Sequence, residues 1–400
     1  RQRRLCGRFC GAGGMDDWHV RKINAYCRSQ FSDRFKCELR RGKGRVLIAT
    51  SQGVRKGCQI FKEPLLHSVH EEPDNEAFRL LQRMCTDSDV FYKPLWYWAA
   101  LCSLTQEQLR TPPKCGTLKP LASEEQQRSM LCLFHEPVRD ASEAMDRIVA
   151  TLELEVEPRF LEELLQIWIL NSFQHSSSPA GLAVYFASSF ISHSCAPNAC
   201  WHKDNLERHV LVALRDIVPG DEVTISYLEK WALLHSVERR RRSLRETKLF
   251  RCNCERCGGE GGDPCRGFRC PACRRCGIFY RRQCGRGAGL QGVACTKCGA
   301  HPTEADIQRI LEAESTMETR LDNLDRESSK GICKTSESEG THMLLEMLDG
   351  DVGPQHWLAN RAVLHLKKRF RLEGHDAGVQ RMAKLRKRYK LKAFEASFET

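Results

Sequence analysis

Ten of the chain's 22 cysteines fall between Cys252 and Cys298, at spacings that suit metal ligands. Cys252-Asn253-Cys254-Glu255-Arg256-Cys257 supplies three thiolates with no fourth nearby. Cys270-Pro271-Ala272-Cys273 and Cys295-Thr296-Lys297-Cys298 are two knuckles separated by 21 residues, a self-sufficient zinc-ribbon pattern. Short turns of this kind aim both sulfurs at one centre, which matches tetrahedral zinc. Cys265, Cys276 and Cys284 are left over and read as ordinary cysteines. The alternative is a disulfide framework, but such chains are short and spread their cysteines. No charged-then-apolar leader with a cleavage site opens the sequence. The expectation is therefore reduced thiols in a cytoplasmic or nuclear protein.

Three further stretches carry polar chemistry. Phe190-Ile191-Ser192-His193-Ser194-Cys195-Ala196-Pro197-Asn198 is followed 22 residues later by Gly220-Asp221-Glu222-Val223-Thr224-Ile225-Ser226-Tyr227, and Phe250 leads into the first cysteine group. Arg41-Gly42-Lys43-Gly44-Arg45 is a G-x-G turn that alone would mark no more than a hairpin. In this order the motifs resemble a SET-domain protein lysine methyltransferase, whose fingerprints are N-H-S-C-x-P-N, an acidic G-[DE]-E leading to a tyrosine, and a C-x-C-x2-C post-SET segment. The long interval between the halves, Asn171-Ser172-Phe173, the ribbon and the tail resemble the SMYD (SET and MYND) branch. Three departures stand out: Ser192 replaces the usual asparagine, Lys248 takes the place of a second channel tyrosine, and no intact MYND finger lies inside the domain. Cys6, Cys10, Trp18, His19 and Cys27 are reminiscent of half such a finger, but the spacing to Cys27 is too long, and unrelated thiols are the alternative.

The resemblance implies S-adenosylmethionine as cofactor, held by Gly42, Lys43, Gly44, Arg45, Asn171, Ser192 and His193, with Phe250 against the adenine and Tyr227 at the sulfonium. Tyr227 and Phe173 are the implied catalytic and channel residues. Cys195 becomes the fourth ligand beside Cys252, Cys254 and Cys257. Two structural zinc ions are expected, one there and one on Cys270, Cys273, Cys295 and Cys298, with a third in the N-terminal segment as an open alternative. Methylation by in-line displacement needs a held sulfonium, a neutral amine and an aligned channel. The glycines let backbone approach the cofactor where a side chain would collide. An apolar wall next to a sulfonium favours the neutral amine, so no dedicated base is required.

Around these residues the pattern predicts short strands at Val46–Ala49, Val54, Ile60–Phe61, His209–Leu214 and Val223–Tyr227, the last ending in the tyrosine. Residues 74–175 read as mainly helical, best after Pro158, where Leu161, Leu164, Leu165 and Trp168 share a face. Thr111 to Pro120 reads as a loop. Thr303 is placed to cap a helix through Ile307, Ile310, Leu311 and Met317. The fold expected is α+β: a SET-type β-fold of small sheets split by a helical insertion, a zinc-binding post-SET segment and ribbon, then an all-helical C-terminal domain. The expected divisions are 1–40, a Cys-rich segment; 41–70, the first SET part; 71–170, the insertion; 171–230, the second SET part; 231–262, post-SET; 263–302, the ribbon; and 303–400, a TPR-like helical domain.

Four hundred residues allow two or three cores. Glycine and proline total 43, which excludes collagen-like and wholly disordered chains. No apolar run reaches a membrane span. The first residue is Arg1, which suggests a piece of a longer protein. The net charge of +12, with Arg239–Arg242 and Lys384–Lys390, leaves nucleic acid as a second partner class, though such runs more often form solvated helix faces. The favoured partner is a protein with an accessible lysine. The rivals are a catalytically weak or inactive SET-like peptide reader and a zinc-ribbon nucleic-acid binder.

Overall fold

The computed structural model describes residues 13–50, 52–86, 92–109, 116–258, 262–273, 277–282, 289–329 and 337–393. Cys6, Cys10, Cys276, Cys284 and the stretch from Thr111 to Cys115 lie outside the described residues. The chain forms two units. Arg1–His193 with Pro197–Ile225 makes the first, and Ser194–Ala196 with Ser226–Thr400 the second.

In the first unit α1 (Gly13–Phe31) leads into β1 (Phe35–Arg40), β2 (Gly44–Ala49), β3 (Gln59–Glu63) and β4 (His67–His70). Helices α2 (Glu76–Thr86), α3 (Pro94–Cys102), α4 (Glu124–Met130), α5 (Glu143–Thr151) and α6 (Pro158–Asn171) form the insertion. Then follow β5 (Phe173–Ser177), β6 (Ala180–Val184), β7 (Ser192–His193), β8 (Ala199–Lys203), β9 (His209–Ala213) and β10 (Thr224–Ile225). The described strands form small sheets: β1-β2, β3-β9-β8, β4-β6-β5, and a parallel pair β7-β10.

Local sequence explains most of this. Ile23, Cys27 and Phe31 recur at helical spacing and are buried, while Phe35 and Cys37 alternate with the exposed Lys36, as a strand requires. Phe31 stacks on Phe61 with ring centroids 4.3 Å apart. Ile23, Cys27, Phe31, Phe35 and Cys37 therefore belong to the first unit's core; the buried Cys27 and Cys37 are core thiols, in no ligand group among the described residues. In α6, Leu161, Leu164, Leu165 and Trp168 are buried as the periodicity predicts, and the Trp168 indole donates to Ser103 Oγ at 2.7 Å.

The second unit holds α7 (Val237–Lys248), the single turn α8 (Glu255–Gly258), β11 (Gly262–Arg269), β12 (Ile278–Arg282), α9 (Glu304–Ser329), α10 (Glu337–Asp349), β13 (Val352–His356), α11 (Trp357–Leu372) and α12 (Asp376–Ala393). Thr303 caps α9 by accepting from the Asp306 amide at 3.1 Å. Among the described residues the C-terminal region is mainly helical, and β13 crosses back to complete the sheet β12-β11-β13.

A buried cluster fastens this sheet to the helices. Arg266 donates through Nε and Nη2 to both oxygens of Glu314, at 2.6 and 2.7 Å. His356 Nε2 lies 3.1 Å from Glu314 Oε1, and its Nδ1 accepts from the Leu358 amide. Burial keeps the His356 imidazole below its ordinary value, so it stays neutral and donates through Nε2. Burial alone would raise the Glu314 carboxyl, but His356 and Arg266 outweigh it and hold it at about 2. That lies below the unfolded carboxyl value near 4.3, so the stabilisation is complete above about pH 4.3 and disappears as pH falls through 2. Glu314→Gln should therefore cost about 3 kcal/mol at pH 7, and parent and variant should converge near pH 2. Denaturant melts at stepped pH measure this; a difference that persists at low pH would point to packing instead.

Candidate active site and metal centres

In the first unit, β1 and β2 turn through Gly42 and Gly44, at φ of +76° and +77°. Both are left-handed positions that disfavour a side chain, and the space where a Cβ would stand is open. Lys43 pairs with Glu222 at 2.6 Å, tying this loop to the Gly220-Asp221-Glu222 motif. Arg45 donates to the Cys132 carbonyl and covers the Phe190 ring at 5.1 Å. The loop thus offers its backbone, while the charged ends of Lys43 and Arg45 are engaged within the protein.

Two motifs far apart in sequence meet in the parallel pair β7-β10, where Ser192 opposes Thr224 and His193 opposes Ile225. Asn198 locks them. Its Nδ2 donates to the Glu222 carbonyl at 2.8 Å, and its Oδ1 accepts from the Thr224 amide at 2.7 Å. The buried Asn198 amide holds the register between them. Ser192 and His193 are half-buried. Asn171, expected at the cofactor, ends α6 and spends its amide hydrogens on the Phe134 and Ile167 carbonyls. Phe173 packs edge-on against Trp201 and Tyr185 at 5.3 and 5.7 Å, beside His209. Burial pushes the His209 imidazole down to about 3, so this aromatic cluster carries no charge at neutral pH.

Tyr227 was expected to end a strand. β10 instead stops at Ile225, and Tyr227 lies in the bend beyond it, 37% exposed. Two consecutive strand residues suffice for pairing with the equally short β7, and Ser226 then leaves the ladder to cap its own turn by accepting from the Leu228 amide. In the second unit Tyr227 meets Phe250 edge-on at 6.2 Å, and Lys248 Nζ sits 5.9 Å from the Tyr227 ring centre. Burial lowers the Lys248 amine to about 8.

Cys195, Cys252, Cys254 and Cys257 converge, their sulfurs all within 4.8 Å of one another, and so do Cys270, Cys273, Cys295 and Cys298. Zinc–sulfur bonds of ~2.3 Å in a tetrahedron place sulfurs about 3.8 Å apart. The structure gives 3.5 Å for Cys195–Cys257, 3.7 Å for Cys270–Cys298 and 3.8 Å for Cys273–Cys295, so both donor sets fit zinc. Gly277 is obligatory at the ribbon, since a Cβ there would stand 2.1 Å from Cys295 Sγ.

The arginine run on α7 is not a solvated face throughout. Arg240 and Arg241 are buried. Arg240 Nη2 points at Cys257 Sγ at 3.5 Å, and Arg241 donates to the Cys252 and Cys257 carbonyls at 2.8 and 2.9 Å. Arg256 reaches the Cys195 carbonyl at 3.1 Å and Cys265 Sγ at 3.2 Å. Burial would lower the Arg240 guanidinium, but the Cys195, Cys265 and Cys257 sulfurs outweigh it and keep it charged. A four-thiolate zinc carries net negative charge, and these cations offset it. Arg239 lies over the Trp357 ring at 4.6 Å.

Residues 44–228 match the SET domain family. Mouse "Protein-lysine N-trimethyltransferase SMYD5" is 41% identical over 86 residues, 21% of this chain and 20% of that protein. Over this stretch the chain is similar to SMYD-like SET proteins. Human "Histone-lysine N-methyltransferase SMYD3" is 38% identical over 98 residues, 24% of this chain and 22% of the relative. Each alignment therefore spans about a fifth of the relative's own length. The solved structure of Rubisco LSMT bound to AdoMet is 14% identical, covers 95% of this chain and 94% of its own, and has a TM-score of 0.34. No helix among the described residues is long and apolar enough to cross a membrane.

Proposed function

We propose that this SET protein transfers a methyl group from S-adenosylmethionine to a lysine side chain of a protein substrate. The observation that carries the reading is the parallel β7-β10 pair, which joins the Ser192-His193 and Glu222–Ile225 motifs inside the SET-matched region, with Tyr227 two residues further on. The positive-φ, open-backbone turn at Gly42 and Gly44 fits a cofactor that needs close backbone approach. In the proposal the Gly42–Arg45 loop, Asn171 through its carbonyl oxygens, Ser192 and His193 bind S-adenosylmethionine, and Phe250 gives its adenine an apolar face. When bound, the cofactor supplies an electrophilic methyl on a sulfonium.

Tyr227 orients the incoming amine through its hydroxyl, and Phe173 supplies an apolar wall that favours the neutral amine. The two cysteine groups hold structural zinc, and the Cys195 site fixes the segment that carries Phe250. The relatives named for protein-lysine and histone-lysine methylation support a protein as the acceptor.

His193→Val tests the cofactor half of this. β7 accepts a β-branched residue, so the fold should persist, and the imidazole's hydrogen bonds are lost. Calorimetry should show binding in the parent and about tenfold weaker binding in the variant, for the loss of one such bond. Equal affinities would remove His193 from the site, and no binding in the parent would overturn the reading.

A further inference from the structure

Lys248 closes α7, and the next residue, Leu249, takes a left-handed turn at φ of +62°. A lysine in a last helical turn ordinarily reaches into solvent, where the helix dipole favours its charge. Lys248 instead lies half-buried with Nζ 5.9 Å from the Tyr227 ring centre, and Phe250 flanks the same ring at 6.2 Å. The chain has thus placed one of its own amines beside the tyrosine assigned to orient the incoming amine.

We propose that Lys248 is a methyl acceptor within its own chain. The inference rests on the methyltransferase reading and adds an acceptor to it. In the step, the Nζ lone pair forms the new N–C bond while the methyl C–S bond breaks. The sulfur keeps that electron pair and departs as the thioether of S-adenosylhomocysteine, and the methylated ammonium gives one proton to solvent.

A lysine amine attacks only when neutral, and burial has already lowered Lys248 to about 8. At pH 7 about a tenth of such amines are neutral, against well under a hundredth of exposed lysines near 10.4. The same value makes Lys248 a poor base, since taking a proton from an ordinary lysine ammonium would run uphill. Nucleophile is the role its surroundings favour.

The test uses the purified chain with S-adenosylmethionine carrying a deuterated methyl group. Cleavage after glutamate releases Thr247–Glu255, a peptide whose single lysine is Lys248. Mass spectrometry should find label there at least about tenfold above the mean of the other lysines, following the neutral fractions. Labelling should be first order and independent of chain concentration, and Lys248→Arg should remove it. A second readout needs no cofactor: in lysine NMR titrations, the resonance that vanishes in Lys248→Arg should titrate near 8. Transfer to an added protein with no label on Lys248, or a Lys248 resonance titrating with the other lysines, overturns this proposal and leaves the enzyme reading standing. No cofactor binding and no transfer to any acceptor overturns both.

Discussion

Tyr227→Phe should slow single-turnover methyl transfer about a hundredfold, roughly 3 kcal/mol of transition-state stabilisation, with folding and cofactor affinity nearly unchanged. The substitution removes one oxygen and keeps the ring. Tyr227 is 37% exposed in a bend, where a hydroxyl-to-hydrogen change disturbs packing little. The ring contacts to Phe250 and Lys248 survive in phenylalanine. What is lost is a hydroxyl that aligns amine and sulfonium while charge is redistributing, an interaction felt chiefly in the transition state. A peptide reader would behave otherwise: binding would be kept and there would be no turnover to lose. Rapid-quench measurement on an accepted protein substrate, parent against variant, decides it. A variant within about threefold of the parent, against the hundredfold expected, removes Tyr227 from the chemistry.

The residues that carry local signals were legible, and those defined by distant partners were not. Three thiolates within six residues and two knuckles announce metal without any fold. The fourth ligand, Cys195, lies 57 residues before Cys252, and only the resemblance connected them. β7 and β10 are two residues each, too short to leave a period in the sequence; they exist because they pair with one another and because Asn198 bridges them. β13 reads Val352-Gly353-Pro354-Gln355-His356, a composition that locally signals a turn. It is a strand only because it lies at the sheet edge, where a proline's missing donor is tolerated. The Phe35-Lys36-Cys37-Glu38 alternation signals β1, but Cys6, Cys10 and Cys27 before it suggest a metal site instead. The arginine run misled for a related reason: charge is legible in sequence, whereas a buried counter-charge is not. Arg240 and Arg241 sit inside because thiolates and carbonyls of the cysteine segment wait there.

That burial makes the cysteine sites the other large lever. Two zinc ions per chain are expected by elemental analysis, and Cys195→Ser should reduce this to one. The stability cost should exceed about 4 kcal/mol, because loss of a structural metal removes a constraint that folding depends on. More than the zinc is disturbed. With the metal gone, Arg240 faces protonated thiols and is left as a buried charge with weakened compensation, the costly way to break a buried pair. Phe250 is two residues from Cys252, so cofactor affinity should fall in Cys195→Ser even where part of the chain stays folded. Cys298→Ser gives the contrast. Its sulfur belongs to the ribbon and is exposed, so this variant should also lose one zinc yet keep cofactor affinity near the parent's. Paired zinc analysis and calorimetry on the two variants separate the sites. Equal loss of cofactor binding in both would mean that the ribbon, and not the Cys195 centre alone, supports the active segment, and fewer than one zinc in the parent would dissolve both assignments.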